Sequence, residues 1–243
     1  MWPDGLVPGY RQVSDVLSTL DLDDESSMMS SVAINLGAGE TAVVGYGLLL
    51  SRDTIDKTLG RIYEGPFASC HIDGWRRSWD VSMPNAAFYY EEEGARVYPE
   101  QILYLNVRRD SGTLMNCTVF VLREDELAVM HGREWIYDGL VVTTDLRGVR
   151  IEVGDSLMYV GKAEHRVRSA TSPRDVALRK SYLRMLDRVL DAVDPAIRAE
   201  YRQTTDPMPE HLVIDDSLDR DRPNPWEAAG HNFRPELPQE GAH

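Results

Sequence analysis

The pattern of hydrophobic and polar positions predicts a strand-rich body. TAVVGYG, which begins at Thr41, is a short apolar run that ends in glycines, as buried strands often do. QILYLNVRR, NCTVFVLR, WIYDGLVVTTDL and RIEVGDSLMYVG are further strand candidates. FASCHIDGWRRSWDVS contains two candidate strands around Asp73-Gly74, a dipeptide typical of hairpins. These segments predict a largely antiparallel β-structure.

Two short helices are predicted within this region. In SRDTIDKTLG, Ser51 can cap a helix and Gly60 can end it. EDELAVMHGRE carries acidic residues in its first turn, where they interact favourably with the helix dipole. Both segments are therefore expected to interrupt the strands as short helices.

A different pattern begins at Ser172. In SPRDVALRKSYLRMLDRVLDAVD, Val176, Leu183, Leu186 and Leu190 lie near helical spacing, and Pro173 stands at the start. This pattern predicts one long amphipathic helix. We divide the chain into an acidic N-terminal extension (1–40), a strand-rich domain (41–170), a C-terminal helix (171–205) and a proline-rich extended tail (206–243).

The tail contains apolar residues that a fully solvated segment would not need. Its prolines and charges cannot form a core of their own. We therefore expect its apolar side chains to dock on the body or on a second subunit; they are Leu212, Val213, Ile214, Trp226 and Phe233.

Composition narrows the choice of partners. The chain has 26 basic and 40 acidic residues, for a net charge of −14, which disfavours nucleic acid as a partner. No apolar run reaches the roughly 18 residues of a membrane span, so no membrane partner is expected. The N-terminus has no secretory pattern, and Cys70 and Cys117 lack metal-site spacing. These features favour a cytoplasmic location and leave formation of a homodimer open.

The glycines after the first strand have two interpretations. Gly45-Tyr46-Gly47, followed by a helix start, presents free backbone N–H groups that favour an anion such as a carboxylate. The segment matches neither the phosphate-loop nor the dinucleotide pattern, and no lysine follows. The alternative is that these glycines simply mark the end of an ordinary buried strand.

Glu134 is a candidate proton-transfer group. Leu127, Met130 and Glu134 share one face of the predicted helix, and the first two are apolar. The carboxyl should therefore face the interior, where burial raises a carboxyl pKa toward neutral pH. A salt bridge, for example with Arg133, or a helix end that reaches water is the alternative.

Four segments that cover about residues 41 to 165 carry a further signal: GYGLLLS, HIDGWRRSWDV, NCTVFVLREDELAVMHGREWIY and GDSLMYVGK. In their order and spacing they resemble the gamma-glutamylcyclotransferase-like family. SPRDVALRKSYLRML is also similar to the helix that follows the barrel in many members. The resemblance implies an α+β fold, with a small mixed, mostly antiparallel β-barrel and a pocket at its mouth. Gly74, Arg76 and Trp79 match the family strand that packs the barrel wall.

The resemblance also implies roles for individual residues. Glu134 matches the family's general acid/base, and Tyr137 matches a pocket residue. The loop that binds the carboxylate end of a γ-glutamyl group through backbone N–H groups is matched by Tyr46, Gly47, Leu48 and Leu49. The family has a serine at the position of Leu48, so recognition of a plain γ-glutamyl head is expected to differ.

The reaction implied by the resemblance needs few catalytic groups. The α-amine of a small-molecule or peptide γ-glutamyl substrate attacks its own γ-carbonyl, which forms a 5-oxoproline-type lactam and releases an amine. Attack within one molecule has a high effective molarity, so positioning supplies much of the rate, and no metal or cofactor is expected. Amide hydrolysis or acyl transfer on the same fold, or a non-catalytic binding or interaction protein, are the alternatives.

Overall fold

The computed structural model describes residues 31–223, which are organised around one long pair of strands. Strand β3 (Phe67–Pro84) pairs antiparallel with β6 (Gln101–Arg123) along most of its length. The register shifts between Asp73 and Trp75 and again between Ser78 and Val81. Because such irregularities bend strands and increase their twist, the pair curls.

The other elements are shorter. The remaining strands are β1 (Val32–Ile34), β2 (Glu40–Gly45), β4 (Phe88–Glu92), β5 (Ala95–Val97), β7 (Tyr137–Val141), β8 (Leu146–Arg147), β9 (Val149–Ile151), β10 (Ser156–Gly161), β11 (Val176–Arg179), β12 (Val213–Ile214) and β13 (Ser217–Leu218). The helices are α1 (Arg52–Leu59), α2 (Glu124–Arg133), α3 (Lys180–Asp191) and α4 (Pro195–Gln203). Single 3₁₀ turns occur at Leu48–Leu50, Thr143–Asp145, Ala163–His165 and Glu210–Leu212.

The main sheet is mixed and does not close within the described residues. Its order is β12-β11-β6-β2-β10-β7, and β3 pairs with the other side of β6 and with β8. The pairs β2–β10, β11–β6 and β11–β12 are parallel. Two small sheets, β1-β9 and β13-β4-β5, complete the fold. The α+β class is confirmed, but the predicted mostly antiparallel barrel is wrong: the sheet forms a curled half-barrel.

The predicted hairpin at Asp73-Gly74 is also wrong. Strand β3 runs through this dipeptide, and Gly74 has a φ of 76° in mid-strand. In the same way, QILYLNVRR and NCTVFVLR form one strand, β6, which passes through Gly112 at a φ of 94°. Both strands therefore carry their irregular positions side by side, and the ladder resumes beyond them.

The single long C-terminal helix is wrong as well. Val176 belongs to β11, which lies parallel to β6, and the helix α3 begins only at Lys180. A second helix, α4, starts after Asp194, whose side chain accepts a hydrogen bond of 2.7 Å from the Ala196 N–H. Pro195 occupies the first turn, where the missing N–H does no harm.

The two predicted inserted helices are confirmed. Helix α1 lies between Ser51 and Gly60, and Gly60 adopts the left-handed conformation with a φ of 68°. Helix α2 has its acidic residues in the first turn. No helix in residues 31–223 is both long and apolar enough to cross a membrane.

Strand β2 separates two parts of the core. Ala42 and Val44 belong to the large cluster that includes residues of α3 and α4, such as Leu186 and Tyr201. Val43, on the opposite face, belongs to the cluster that includes residues of α1 and α2. Since side chains alternate along a strand, β2 is covered on both faces, and its carboxyl end lies among the helices.

The first part of the tail lies on the body. Val213 and Ile214 form β12 beside β11, and Leu212 and Ile214 are buried. The predicted docking of Trp226 and Phe233, and most of the acidic N-terminal extension, fall outside the described residues. The proposed division into four regions stays a prediction.

Candidate active site

A pocket of about 530 Å³ opens where β2 ends. Its walls come from the turn after β2, from the end of α2 and the start of β7, and from α3. All the site residues predicted from the sequence line this pocket: Tyr46, Gly47, Leu48, Leu49, Glu134 and Tyr137. The fold thus brings together two groups of residues about ninety positions apart in the chain, while their chemical roles stay predictions.

The turn after β2 has a tight backbone. A Cβ atom on Gly45 would lie 2.6 Å from the carbonyl oxygen of Leu49, so a larger residue does not fit here. The 3₁₀ turn is closed by a 3.0 Å hydrogen bond from the Leu50 N–H to the Gly47 carbonyl. The N–H groups of Leu48 and Leu49 have no hydrogen-bond acceptor within residues 31–223. They are the unpaired donors expected at a helical start.

Arg77 supports this turn from inside the protein. Its guanidinium is fully buried and donates from Nε to the Tyr46 carbonyl oxygen at 2.6 Å. The remaining nitrogens donate to Thr204 Oγ1 and to the carbonyl and side-chain oxygens of Asn116, and the group lies 4.0 Å from the ring centre of Tyr201. Burial lowers the pKa of Arg77 to about 10, so the group is still protonated at neutral pH.

The hydroxyl groups of three pocket tyrosines are bonded to the protein. Tyr46 donates to the Tyr159 carbonyl at 2.8 Å, and Tyr137 donates to the Leu105 carbonyl at 2.8 Å. The Tyr159 hydroxyl lies 2.9 Å from His131 Nδ1. Burial, and secondly the charge of Glu134, hold the pKa of Tyr46 well above its usual range. These tyrosines are therefore neutral hydrogen-bonding and packing groups at neutral pH.

Glu134 follows α2 directly. Its N–H bonds to the Met130 carbonyl at 2.9 Å, and Leu127 and Met130 pack in the same cluster as Val43. The carboxyl side chain is only 14% exposed. The predicted inward face of the helix is therefore present, and Glu134 borders the pocket.

The salt bridge with Arg133, the alternative interpretation of Glu134, is formed as well. Oε1 lies 3.1 Å from Nε of Arg133, whose own side chain is partly buried and also donates to Thr58 Oγ1. Burial raises the pKa of the Glu134 carboxyl, and the Arg133 charge partly opposes this rise. The result is a carboxyl in a poorly solvated site whose pKa lies above the ordinary value, which suits proton exchange.

Sequence reasoning missed three residues at or beside the pocket: Arg77, Arg179 and Tyr182. Arg179 is 2% exposed, lies 3.8 Å from Asp216, and stacks over the Phe88 ring at 3.8 Å. Tyr182 packs edge-on against Tyr104 with ring centres 5.2 Å apart. No local signal marks the burial of the two arginines, because charged residues are normally exposed.

Comparison with known proteins gives likenesses in structure only. No family model matches the chain, and no curated protein matches it. The chain is similar to a solved gamma-glutamyl cyclotransferase, with 8% identity and a TM-score of 0.46 over 75% of this chain and 95% of that one. It is also similar to the uncharacterized human protein loc79017, with 8% identity and a TM-score of 0.46 over 83% and 95%. A third similar structure is YkqA from Bacillus subtilis, with 12% identity and a TM-score of 0.41 over 68% of this chain and 53% of that one. Such low scores assign neither a reaction nor a residue role.

Proposed function

We propose that this chain is a gamma-glutamylcyclotransferase-like enzyme in which Glu134 is the general acid/base. The observation that carries the proposal is that Glu134 and the Tyr46–Leu49 turn line one pocket. A buried carboxylate beside unpaired backbone donors provides a base and an anion site within reach of one small molecule. The order of the four family-like sequence segments supports the same assignment.

The proposed reaction is an intramolecular acyl transfer. The substrate's α-amine attacks its γ-carbonyl carbon, and the Glu134 carboxylate takes the proton that the amine loses. The C–N bond to the leaving amine then breaks, and Glu134 returns the proton to that nitrogen. The products are a five-membered lactam and a free amine, and Glu134 ends in its starting state.

In this proposal the turn after β2 holds the substrate's α-carboxylate. The N–H groups of Leu48 and Leu49 are unpaired within the described chain, and Arg77 fixes the carbonyl that precedes them. Leu48 offers no hydroxyl, so binding at this end depends on backbone donors. Fixing the carboxylate restricts the substrate to conformers in which the amine and the γ-carbonyl approach each other, which is the main source of rate in such a step.

A substrate screen tests this proposal. Purified protein would be incubated with a panel of γ-glutamyl amides, and products would be identified by mass spectrometry. We expect lactam and free amine from at least one amide, and a loss of at least about a hundredfold in Glu134→Gln. Glu124→Gln, an exposed position in the first turn of the same helix, is the matched control and should keep full activity.

Two results would reject the proposal. One is near wild-type turnover in a folded Glu134→Gln protein. The other is the absence of lactam from every amide, with either free glutamate or no product. Free glutamate would favour the hydrolase alternative, in which a water molecule replaces the α-amine as nucleophile.

A further inference from the structure

The pocket is larger than a γ-glutamyl head requires. Its volume of about 530 Å³ lies within the ~300–1,000 Å³ typical of pockets that enclose drug-sized ligands. If the glutamyl part lies between the turn and Glu134, much of the pocket remains for the leaving amine. The walls of that remaining space therefore decide which amine fits.

Those walls are mainly aromatic and aliphatic. Helix α3 packs against the 3₁₀ turn, and its residues Tyr182 and Met185 line the pocket together with Leu48. The apolar side chains of the lining include Leu48, Met83, Ile136, Tyr182 and Met185. Since the Tyr46, Tyr137 and Tyr159 hydroxyls are already bonded to the protein, their rings add apolar surface and few free polar atoms.

The cations of the lining are already paired. Lys57 lies 2.8 Å from Asp53, Arg133 lies 3.1 Å from Glu134, and Arg179 lies 3.8 Å from Asp216. A carboxylate on the leaving amine would thus find the two least exposed cations, Arg133 and Arg179, already paired, whereas the largely exposed Lys57 pair contributes little. A buried charge without a partner is costly, so such a substrate would bind less well.

Arg179 is the most deeply buried of these three cations. Its Nε has no hydrogen-bond acceptor in the described chain, although the side chain is almost fully buried. Asp216 is equally buried and already balances the charge. Arg179 is therefore held inside the fold with its charge already balanced, and it offers no unpaired cation to a carboxylate in the pocket.

We propose that the leaving amine carries an apolar, uncharged substituent, aromatic or branched aliphatic, that lies against the α3 side chains of the pocket. This inference rests on the proposed function for the orientation of the substrate. It names the preferred substrates as γ-glutamyl amides of apolar amines, in preference to those of small or carboxylate-bearing amines.

Three matched amides test the inference. γ-Glutamyl-phenethylamide carries the apolar ring, γ-glutamyl-ethylamide lacks the ring, and γ-glutamyl-phenylalanine adds a carboxylate to it. We expect kcat/KM for the phenethylamide to exceed that for the ethylamide by at least about tenfold, the scale of burying a phenyl ring. The phenylalanine compound should be slower than the phenethylamide. Equal values for the first two, or a faster phenylalanine compound, would overturn the inference.

A binding arm separates this inference from the proposed reaction. Calorimetry with Glu134→Gln measures the three dissociation constants whether or not the protein makes lactam. The same ranking without any lactam in the wild type would leave the inference standing and reject the reaction. Lactam formation together with equal dissociation constants for the three amides would support the reaction and reject the inference. Failure of all three amides to bind would reject the inference.

A pair of methionine variants tests the location of the apolar part. Met185 lines the pocket from α3, whereas Met208 is exposed and lies outside the lining. Met185→Ser should lower the preference for phenethylamide over ethylamide at least about threefold, and Met208→Ser should leave it unchanged. An unchanged preference in folded Met185→Ser would contradict the placement against α3.

Discussion

The buried guanidinium of Arg77 donates a 2.6 Å hydrogen bond to the main-chain carbonyl of Tyr46, the residue that begins the turn at the pocket. The same guanidinium bonds to Thr204 at the end of α4 and to Asn116 of β6. No carboxylate oxygen of the described residues lies within 4.0 Å of it. A buried cation therefore joins the turn to the sheet and to a C-terminal helix through neutral acceptors alone.

Replacing Arg77 should destabilise the protein and disturb the turn. In Arg77→Met, the buried oxygens of Tyr46, Thr204 and Asn116 lose their donor, and each unsatisfied group costs about 1–3 kcal/mol. We expect the free energy of unfolding in denaturant titration to fall by at least about 2 kcal/mol, with a raised KM in the folded fraction. Arg77→Lys should recover part of both, because it keeps the charge but not the geometry.

Arg76 provides the control for this variant. It is the neighbouring residue, but its guanidinium is partly exposed and pairs with Asp110 at 2.6 Å. Partly exposed ion pairs contribute about 0–1 kcal/mol, so Arg76→Met should have a much smaller effect. Equal losses for Arg76→Met and Arg77→Met would show that Arg77 has no special role in holding the turn.

Arg133 should set the pH dependence of activity. The carboxylate form of Glu134 is the base, so activity rises as pH rises through its pKa. Burial places this pKa above the ordinary glutamate value, and the Arg133 charge lowers it. Arg133→Gln should therefore move the acidic limb of the kcat/KM profile to higher pH. Arg147→Gln, whose ion pair with Asp73 is half exposed, should not move it. An unshifted limb in Arg133→Gln, or a shift to lower pH, would count against Glu134 as the base.

Leu48 should control the choice of substrate at the turn. Leu48→Ser removes apolar bulk and adds a hydroxyl that can bond to a polar substrate group. Because a matched hydrogen bond discriminates strongly between substrates, we expect kcat/KM to shift toward simple γ-glutamyl amino acids. Competition assays with mixed substrates measure this ratio directly. Identical profiles for the two proteins would show that Leu48 is only a packing residue.

The segment after Asp206 should stabilise the body. Leu212 and Ile214 are buried, and β12 extends the main sheet. A chain that ends at Asp206 should therefore have a lower melting temperature, because burial of each such side chain contributes about 1.5–3 kcal/mol before ordering costs. A second chain that ends at Pro223 keeps β12 and removes Trp226 and Phe233. Because we expect those two residues to dock, this second chain should have a lower melting temperature than the full chain, or a different mass in solution. A second chain that behaves like the full chain would contradict the docking of Trp226 and Phe233, and an unchanged melting temperature in the chain that ends at Asp206 would contradict the stabilising role of β12.

Local signals predicted the elements that form the pocket but not their pairing. The apolar run before Gly45 and the three-residue spacing of Leu127 and Met130 are signals contained within a few residues. Strand β2 and helix α2 could therefore be recognised from the sequence. Asp73-Gly74 was misleading, because the partner strand accommodates Gly74 opposite its own irregularity, and no local dipeptide reveals a distant partner.

The C-terminal region shows two further causes of error. Val176 has the spacing of a helix face but forms a parallel strand, because β6 offers an edge at Gln101, 75 residues earlier in the chain. The start of α4 at Asp194-Pro195 was missed as well, although a capping aspartate followed by proline is a local start signal. The burial of Arg77 could not be predicted, since its acceptors Tyr46, Asn116 and Thr204 come from three separate segments.

Isotope labelling of the product tests the central claim most directly. The wild-type protein would be incubated with γ-glutamyl-phenethylamide in water enriched in ¹⁸O, and the products would be analysed by mass spectrometry. Ring closure by the substrate's own amine uses no water, so we predict unlabelled lactam in amounts equal to the phenethylamine released, and none above background with Glu134→Gln. Release of phenethylamine together with ¹⁸O-labelled glutamate, or no release, would contradict the account.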